Sequence, residues 1–195
     1  MCIRDSWWAQ QAGQLLPALR AEIEREFERL SLVARQIRTL EALQARQVRS
    51  GAQPAIAVLS RLAGIGTGSA WTLVKELFGW RQFHNRREVA GCLGLAPTPY
   101  ASGTSEVEQG ISKTGNKRAR WLMVELAWSW LRFQPGSQLS QWFNERFAGG
   151  GKRVRRIGIV ALARRLSIAL WRYLEQGEIP LGATLKPPGS NTVAS

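Results

Sequence analysis

Residues 56–77 read IAVLSRLAGIGTGSAWTLVKEL, two apolar-periodic stretches parted by a glycine-rich turn. Ile56, Val58, Leu59 and Leu62 fall at helical spacing before Gly64-Ile65-Gly66-Thr67-Gly68, and Ala70, Leu73, Val74 and Leu77 resume it. The pattern predicts a helix, a turn and a second helix. It is similar to a helix-hairpin-helix, whose turn glycines let backbone N–H groups approach a phosphate with no side chain in the way. Gly64, Gly66 and Thr67 are thus candidate phosphate contacts, although a glycine turn between two packed helices reads the same way.

Toward the N-terminus, Leu16, Leu19, Ile23, Leu30, Val33, Ile37 and Leu40 recur three or four apart, with charged residues between them and one interruption where Glu26 sits beside Phe27. That predicts a long amphipathic or coiled-coil-type linker helix over 13–50, ended by Ser50-Gly51-Ala52-Gln53-Pro54. Such a helix cannot bury its stripe alone. Met1-Cys2-Ile3-Arg4-Asp5-Ser6 lead into Trp7-Trp8 without a recognisable start, and residues 1–12 read as the leader of a truncated or misassembled frame.

Toward the C-terminus a predominantly helical region is expected over 55–177. Val89, Ala90 and Leu93 mark a short helix with Arg81, Arg86 and Arg87 on its solvent side, and Gly94-Leu95-Ala96-Pro97-Thr98-Pro99 ends it. Residues 100–116 lack periodicity and read as a surface loop. Asn116 caps a helix through Leu131, stopped by Pro135-Gly136. Leu139, Trp142, Phe143 and Phe147 mark a short helix, and Ile157 to Leu174 a last long one preceded by Lys152, Arg153, Arg155 and Arg156. Aromatic residues at helical spacing are expected in the core. Residues 178–195 read as a flexible tail.

The chain has 195 residues, 45% of them hydrophobic, and a formal net charge of +13, which describes a folded protein attracted to polyanions. Between residues 101 and 172 lie 13 Lys or Arg against 4 Asp or Glu, so net +9 of that charge sits in this one stretch. Cys2 and Cys92 have no CxxC companion, which argues against a disulfide framework or a zinc site. No apolar run is long enough to cross a bilayer and no signal-like segment opens the chain, so a cytoplasmic protein is expected, with no membrane partner.

Breaking and rejoining a nucleic-acid strand without external energy requires storing the phosphodiester energy in a covalent protein–phosphate bond, and a serine hydroxyl can form one. Ser102, followed by Gly103 in a polar segment, is a candidate, with Lys113, Lys117, Arg118 and Arg120 near it in sequence to neutralise phosphate oxygens. Ser105 and Ser112 are rivals that spacing alone does not separate. His84 is the single histidine and reads as a surface or phosphate-contacting group. Glu76, Glu88, Glu106, Glu108 and Glu125 form no evident metal cluster, so no metal site is expected in this chain.

Leu62-Ala63-Gly64-Ile65-Gly66, Phe83, Gly94-Leu95-Ala96-Pro97, Ser102-Gly103, Gly110-Ile111-Ser112-Lys113-Thr114-Gly115-Asn116 and Arg120, in this order and spacing, resemble the C-terminal transposase domain of the insertion sequence 110 family over about 56–176. The resemblance implies a mainly α, helical transposase domain behind a coiled coil, with the nucleophile at Ser102. It implies double-stranded DNA and a structured bridge RNA as partners, homo-oligomeric assembly, and an N-terminal RuvC-like domain whose acidic residues hold Mg²⁺. That domain's acidic residues are not recognisable here, so the expectation is a chain that binds no cofactor of its own and holds nucleic acid without recombining it unaided. The alternatives are a non-catalytic nucleic-acid-binding module and a coiled-coil assembly protein.

Overall fold

The computed structural model describes residues 8, 10–102 and 105–187, and only the backbone of 98–102 and 105–109. Most of the expected leader, Gly103, and the tail from residue 188 onward lie outside the described residues. The chain divides into two compact units, Met1–Arg46 and Gln47–Ser195.

Helix α1, Pro17–Arg49, begins on a proline whose fixed φ suits a first turn. It is laced by surface ion pairs within the helix, Arg20–Glu24 at 2.9 Å and Arg25–Glu22 at 2.8 Å among them. The apolar stripe is largely uncovered: Leu19, Leu30, Val33, Ile37 and Leu40 are all exposed. Gly51, at φ +76°, and Pro54 end the helix as the sequence leads one to expect.

The second unit is mainly α. It comprises α2 (Pro54–Ser60), α3 (Thr67–Leu73, prolonged by a π turn over Val74–Phe78), α4 (Arg86–Cys92), strands β1 (Pro97–Ser102) and β2 (Ser105–Ile111), α5 (Lys117–Phe133), α6 (Gln138–Phe143, prolonged by a π turn over Asn144–Ala148) and α7 (Lys152–Gln176). Helix α5 packs along α7, while α2, α4 and α6 also lean on α7 and α3 meets α5. Met123, Ala127 and Trp130 of α5 and Leu162, Leu166 and Leu170 of α7 are buried between them. Each such large side chain contributes about 1.5–3 kcal/mol by leaving water. Trp130 Nε1 donates to Ser137 Oγ at 2.8 Å, so this indole is buried with its polar atom satisfied.

Three expectations change. Residues 100–116 are not wholly loop, because 97–111 pair as an antiparallel hairpin with Ser102 opposite Ser105 and an irregularity between Pro97 and Thr98. Neither strand has the neighbours to show a long alternating pattern, and prolines at 97 and 99 hid the first. The aromatic residues are not all core: Trp80 and Trp121 are 64% exposed, and Trp128 is exposed as well. Lastly, the segment after α7 is fastened up to Lys186. Leu185 bridges to Leu62, and buried Gln134 donates to the carbonyls of Ala63 and Thr184 and accepts the Thr184 N–H at 2.7 Å. Lys186 Nζ donates to the carbonyls of Ser60 and Ile65, and burial holds its pKa below the usual lysine range. Periodicity is blind to such a strap, since its partners are backbone groups far away in sequence. No helix among the described residues is long and apolar enough to cross a membrane.

Candidate nucleic-acid interface

The two glycine-bearing motifs, 94–97 and 110–116, meet. Gly94, at φ +65°, and Gly115, at φ +91°, lie so close to the carbonyls of Thr114 and Cys92 that a Cβ on either would run into them. Lys113 N–H donates to Gly94 O at 3.1 Å, Ser112 N–H to Ala96 O at 2.9 Å and Asn116 N–H to Cys92 O at 2.9 Å. Arg120 Nη1 donates to the carbonyls of Leu93 and Thr114 at 3.0 and 3.3 Å. Asn116 caps α5 through Ala119 N–H, and its amide donates to the Glu76 carboxylate at 3.1 Å. The result is a clasp at the base of the hairpin that ends in Ser102. Ser102 closes β1, and its side chain is outside the described residues.

Beside the clasp lies a groove of about 1000 Å³. Its walls carry eight cations, Arg86, Arg87, Lys113, Arg146, Arg153, Arg156, Arg164 and Arg165, and no carboxylate. Pro97, Gly110 and Ile111 bring the hairpin base to its edge, and Ile157, Val160, Ala161 and Ile168 line its floor. The groove follows from how α7 is patterned. Gly158, Ile159, Leu162, Ala163, Leu166 and Leu170 turn inward, which leaves Arg153, Arg156, Arg164 and Arg165 on another face. Gly158 matters here: a Cβ on it would come within 2.5 Å of the Phe147 ring, so its bare surface lets α6 and its π turn lie close on α7. That brings Arg146 and Trp142 to the groove.

Of the residues expected to hold phosphate, Arg86, Arg87, Lys113, Arg153 and Arg156 line the groove. Arg120 does not, since its guanidinium is spent on the clasp. Arg118 is exposed on the first turn of α5 and faces Glu76 at 3.5 Å, and Lys117 is exposed beside it. Lys152 and Arg155 are exposed on the first turn of α7 and do not line the groove. Gly64 sits against α5: Ser129 Oγ donates to its carbonyl at 2.8 Å, and a Cβ would stand 3.2 Å from that of Phe133. Gly66 is exposed, and Thr67 opens α3 half-buried. Arg146, Arg164 and Arg165 complete the groove. For Arg164 the i, i+3, i+11 spacing with Arg153 and Arg156 on one helix face was a readable signal; for Arg146, in a π turn on another element, there was none.

His84 is exposed. Its N–H donates to the Glu88 carboxylate at 2.9 Å, and Asn85 accepts from the Arg87 and Glu88 N–H groups, so these residues cap α4. The His84 backbone hydrogen bond, chiefly, holds the Glu88 pKa below the usual glutamate range. Among the described residues no three His, Cys, Asp or Glu side chains gather where a metal ion could be held.

The transposase family IS116/IS110/IS902 matches residues 56–141, the span from the glycine turn through the clasp to α6. Residues 56–141, the matched span, carry this transposase family's pattern. The protein y4rJ of Sinorhizobium fredii, named as a transposase, is 43% identical over 188 residues, 90% of this chain and 47% of that protein. The transposase for insertion sequence element IS1328 of Yersinia enterocolitica is 30% identical over 62% of this chain and 36% of its own length. That for IS1111A of Coxiella burnetii is 29% identical over 60% and 32%. The chain therefore spans less than half the length of these curated relatives.

Proposed function

We propose that this chain is the nucleic-acid-holding and serine-bearing part of an insertion-sequence transposase. The single observation that carries the reading is the groove, eight cations with no carboxylate beside the clasped hairpin. Such a wall attracts a phosphodiester backbone through charge and counterion release, with no preference for sequence. DNA and a structured bridge RNA present the same backbone chemistry, and both are partners in this reading. The uncovered leucine stripe of α1 supports a homo-oligomer assembled through a coiled coil.

In the proposed reaction the Ser102 hydroxyl attacks a DNA phosphorus. The Oγ–P bond forms, one bridging P–O bond breaks, the serine proton goes to solvent or a base, and the departing strand oxygen takes up a proton. A strand hydroxyl then attacks the phosphoserine, which reseals the backbone and releases Oγ. No three His, Cys, Asp or Glu side chains gather among the described residues, a donor set that does not fit Mg²⁺, and we assign that ion to residues other than these. Ser102 ends a strand about 17 Å from the groove edge at Pro97, at roughly 3.4 Å per residue, so the groove holds a strand while the hairpin end meets it elsewhere. That separation also favours a second reading, a module that holds nucleic acid without reacting. The test is trapping of denaturation-resistant protein–DNA adducts. An adduct on the intact protein that vanishes in Ser102→Ala, with binding kept, is expected. Adducts persisting in that variant overturn the serine assignment, and none on either protein leaves the binding module.

A further inference from the structure

We infer that Trp142 is a stacking template that holds Arg165 and Arg146 as a paired guanidinium clamp for one phosphodiester group, at the threshold where the basic groove opens into a neighbouring cavity. The inference rests on the groove's being a nucleic-acid site and assigns its strongest anchoring point.

The Arg165 guanidinium lies 4.2 Å from the centre of the Trp142 ring and that of Arg146 lies 5.7 Å from it. Phe147 meets the same indole edge-on at 5.4 Å and Phe143 stacks on Phe147, so the ring is buttressed from the core side. Two like charges are thus gathered on one indole. Neither enters an ion pair among the described residues. Burial, and after it the charge of Arg146, push the Arg165 pKa down. Cation–π attraction offsets part of that cost and fixes the planes of the forks. An anion with two equivalent oxygens at tetrahedral spacing satisfies both, and a phosphodiester has that shape.

Arg86, Trp142, Arg165 and Ile168 line both the groove and a second cavity of about 550 Å³, whose wall also carries Gln138, Gln141, Glu145 and Glu178. The clamp is therefore where the two spaces join. A backbone following the groove is gripped at that mouth. Trp142 acts through the arginines and is a positioning residue, its ring face being already covered by Arg165.

The experiment measures affinity for a labelled DNA duplex and an RNA duplex of the same sequence across a salt series, with the full chain and variants checked by circular dichroism. Trp142→Leu keeps every charge. It is expected to weaken binding about 10- to 100-fold and to reduce the log K against log salt slope by about 0.9, the weight of the one phosphate the clamp holds. Arg165→Lys, also charge-neutral, is expected to lose about tenfold because an ammonium neither forks nor stacks in the same way. Trp142→Phe keeps a ring and should stay within about threefold. Arg153→Ala, along the groove, is the reference and loses about one unit of slope. If Trp142→Leu unfolds, Arg165→Lys and Trp142→Phe decide. Trp142→Leu and Arg165→Lys both within twofold of the parent while Arg153→Ala weakens would sink the clamp and leave the groove standing. A parent chain that binds neither duplex overturns the groove reading itself. Displacement of the duplex by millimolar inorganic phosphate at constant ionic strength reassigns the site to free phosphate and overturns the proposal.

Discussion

Helices α1 and α7 carry the same cationic load and use it oppositely. Each has seven Lys or Arg, but α1 has five glutamates and α7 a single one, Glu175. In α1 the glutamates stand three or four residues from arginines, and Arg20, Arg25 and Arg29 are paired within the helix. Their field is cancelled within a few ångströms, and what remains distinctive about α1 is its bare leucine stripe. In α7 none of the groove arginines enters an ion pair among the described residues: Arg153, Arg156, Arg164 and Arg165 line the groove together with other cations. Composition alone ranks the two helices alike. The difference lies in where the counter-charge sits, which decides whether an arginine serves the helix or a ligand.

The widest gap between the two helices should open on neutralising three arginines in each. Arg153, Arg156 and Arg164 changed together to Gln are expected to lower duplex affinity about 100- to 1000-fold and flatten the salt slope by about three units. The matching Gln changes at Arg20, Arg25 and Arg29 should move affinity less than about threefold. Equal losses from both sets, read by fluorescence anisotropy, would break the comparison.

Arg120 sharpens it from within the second unit, because its charge is consumed by the Leu93 and Thr114 carbonyls. Arg120→Gln should therefore cost about 1.5–3 kcal/mol of stability in denaturant melts, the worth of charged hydrogen bonds, with the salt slope of the folded fraction unchanged. A slope reduced by a full unit would return Arg120 to the groove.

The smallest expected effect is a pH dependence at the start of α4. The folded pKa of Glu88 is lowered, so its contribution is fully present above the ordinary glutamate range and is lost as pH falls through the folded value. Melts of the parent and Glu88→Gln should differ at neutral pH and converge once pH has fallen below the lowered folded value. A gap that persists in acid would show that the capping geometry, not the charge, is what counts.

Much of this was legible early. Helix identity followed from apolar spacing, and the stops at Gly51, Pro135 and Gly177 followed from chemistry that tolerates few conformations. The family motifs were equally visible, as was the basic stretch. What escaped notice shares one cause, namely dependence on partners distant in sequence. The strap at 178–187 is held by Gln134 and by backbone near Ser60, the hairpin needs a clasp across 20 residues from Gly94 to Thr114, and Arg146 becomes a groove residue only because Gly158 lets another helix approach.

The sequence by itself determined that this chain is helical, strongly basic in its second half, and built around glycine motifs of a transposase family. These are properties of local spacing and of summed charge, and both are additive along a chain. Only the tertiary structure decided which arginines are free. Whether a guanidinium meets a carbonyl, a glutamate, an indole or open water depends on packing between elements, and two cations only two positions apart, such as Arg118 and Arg120, differ in that respect according to which neighbour the fold brings to each.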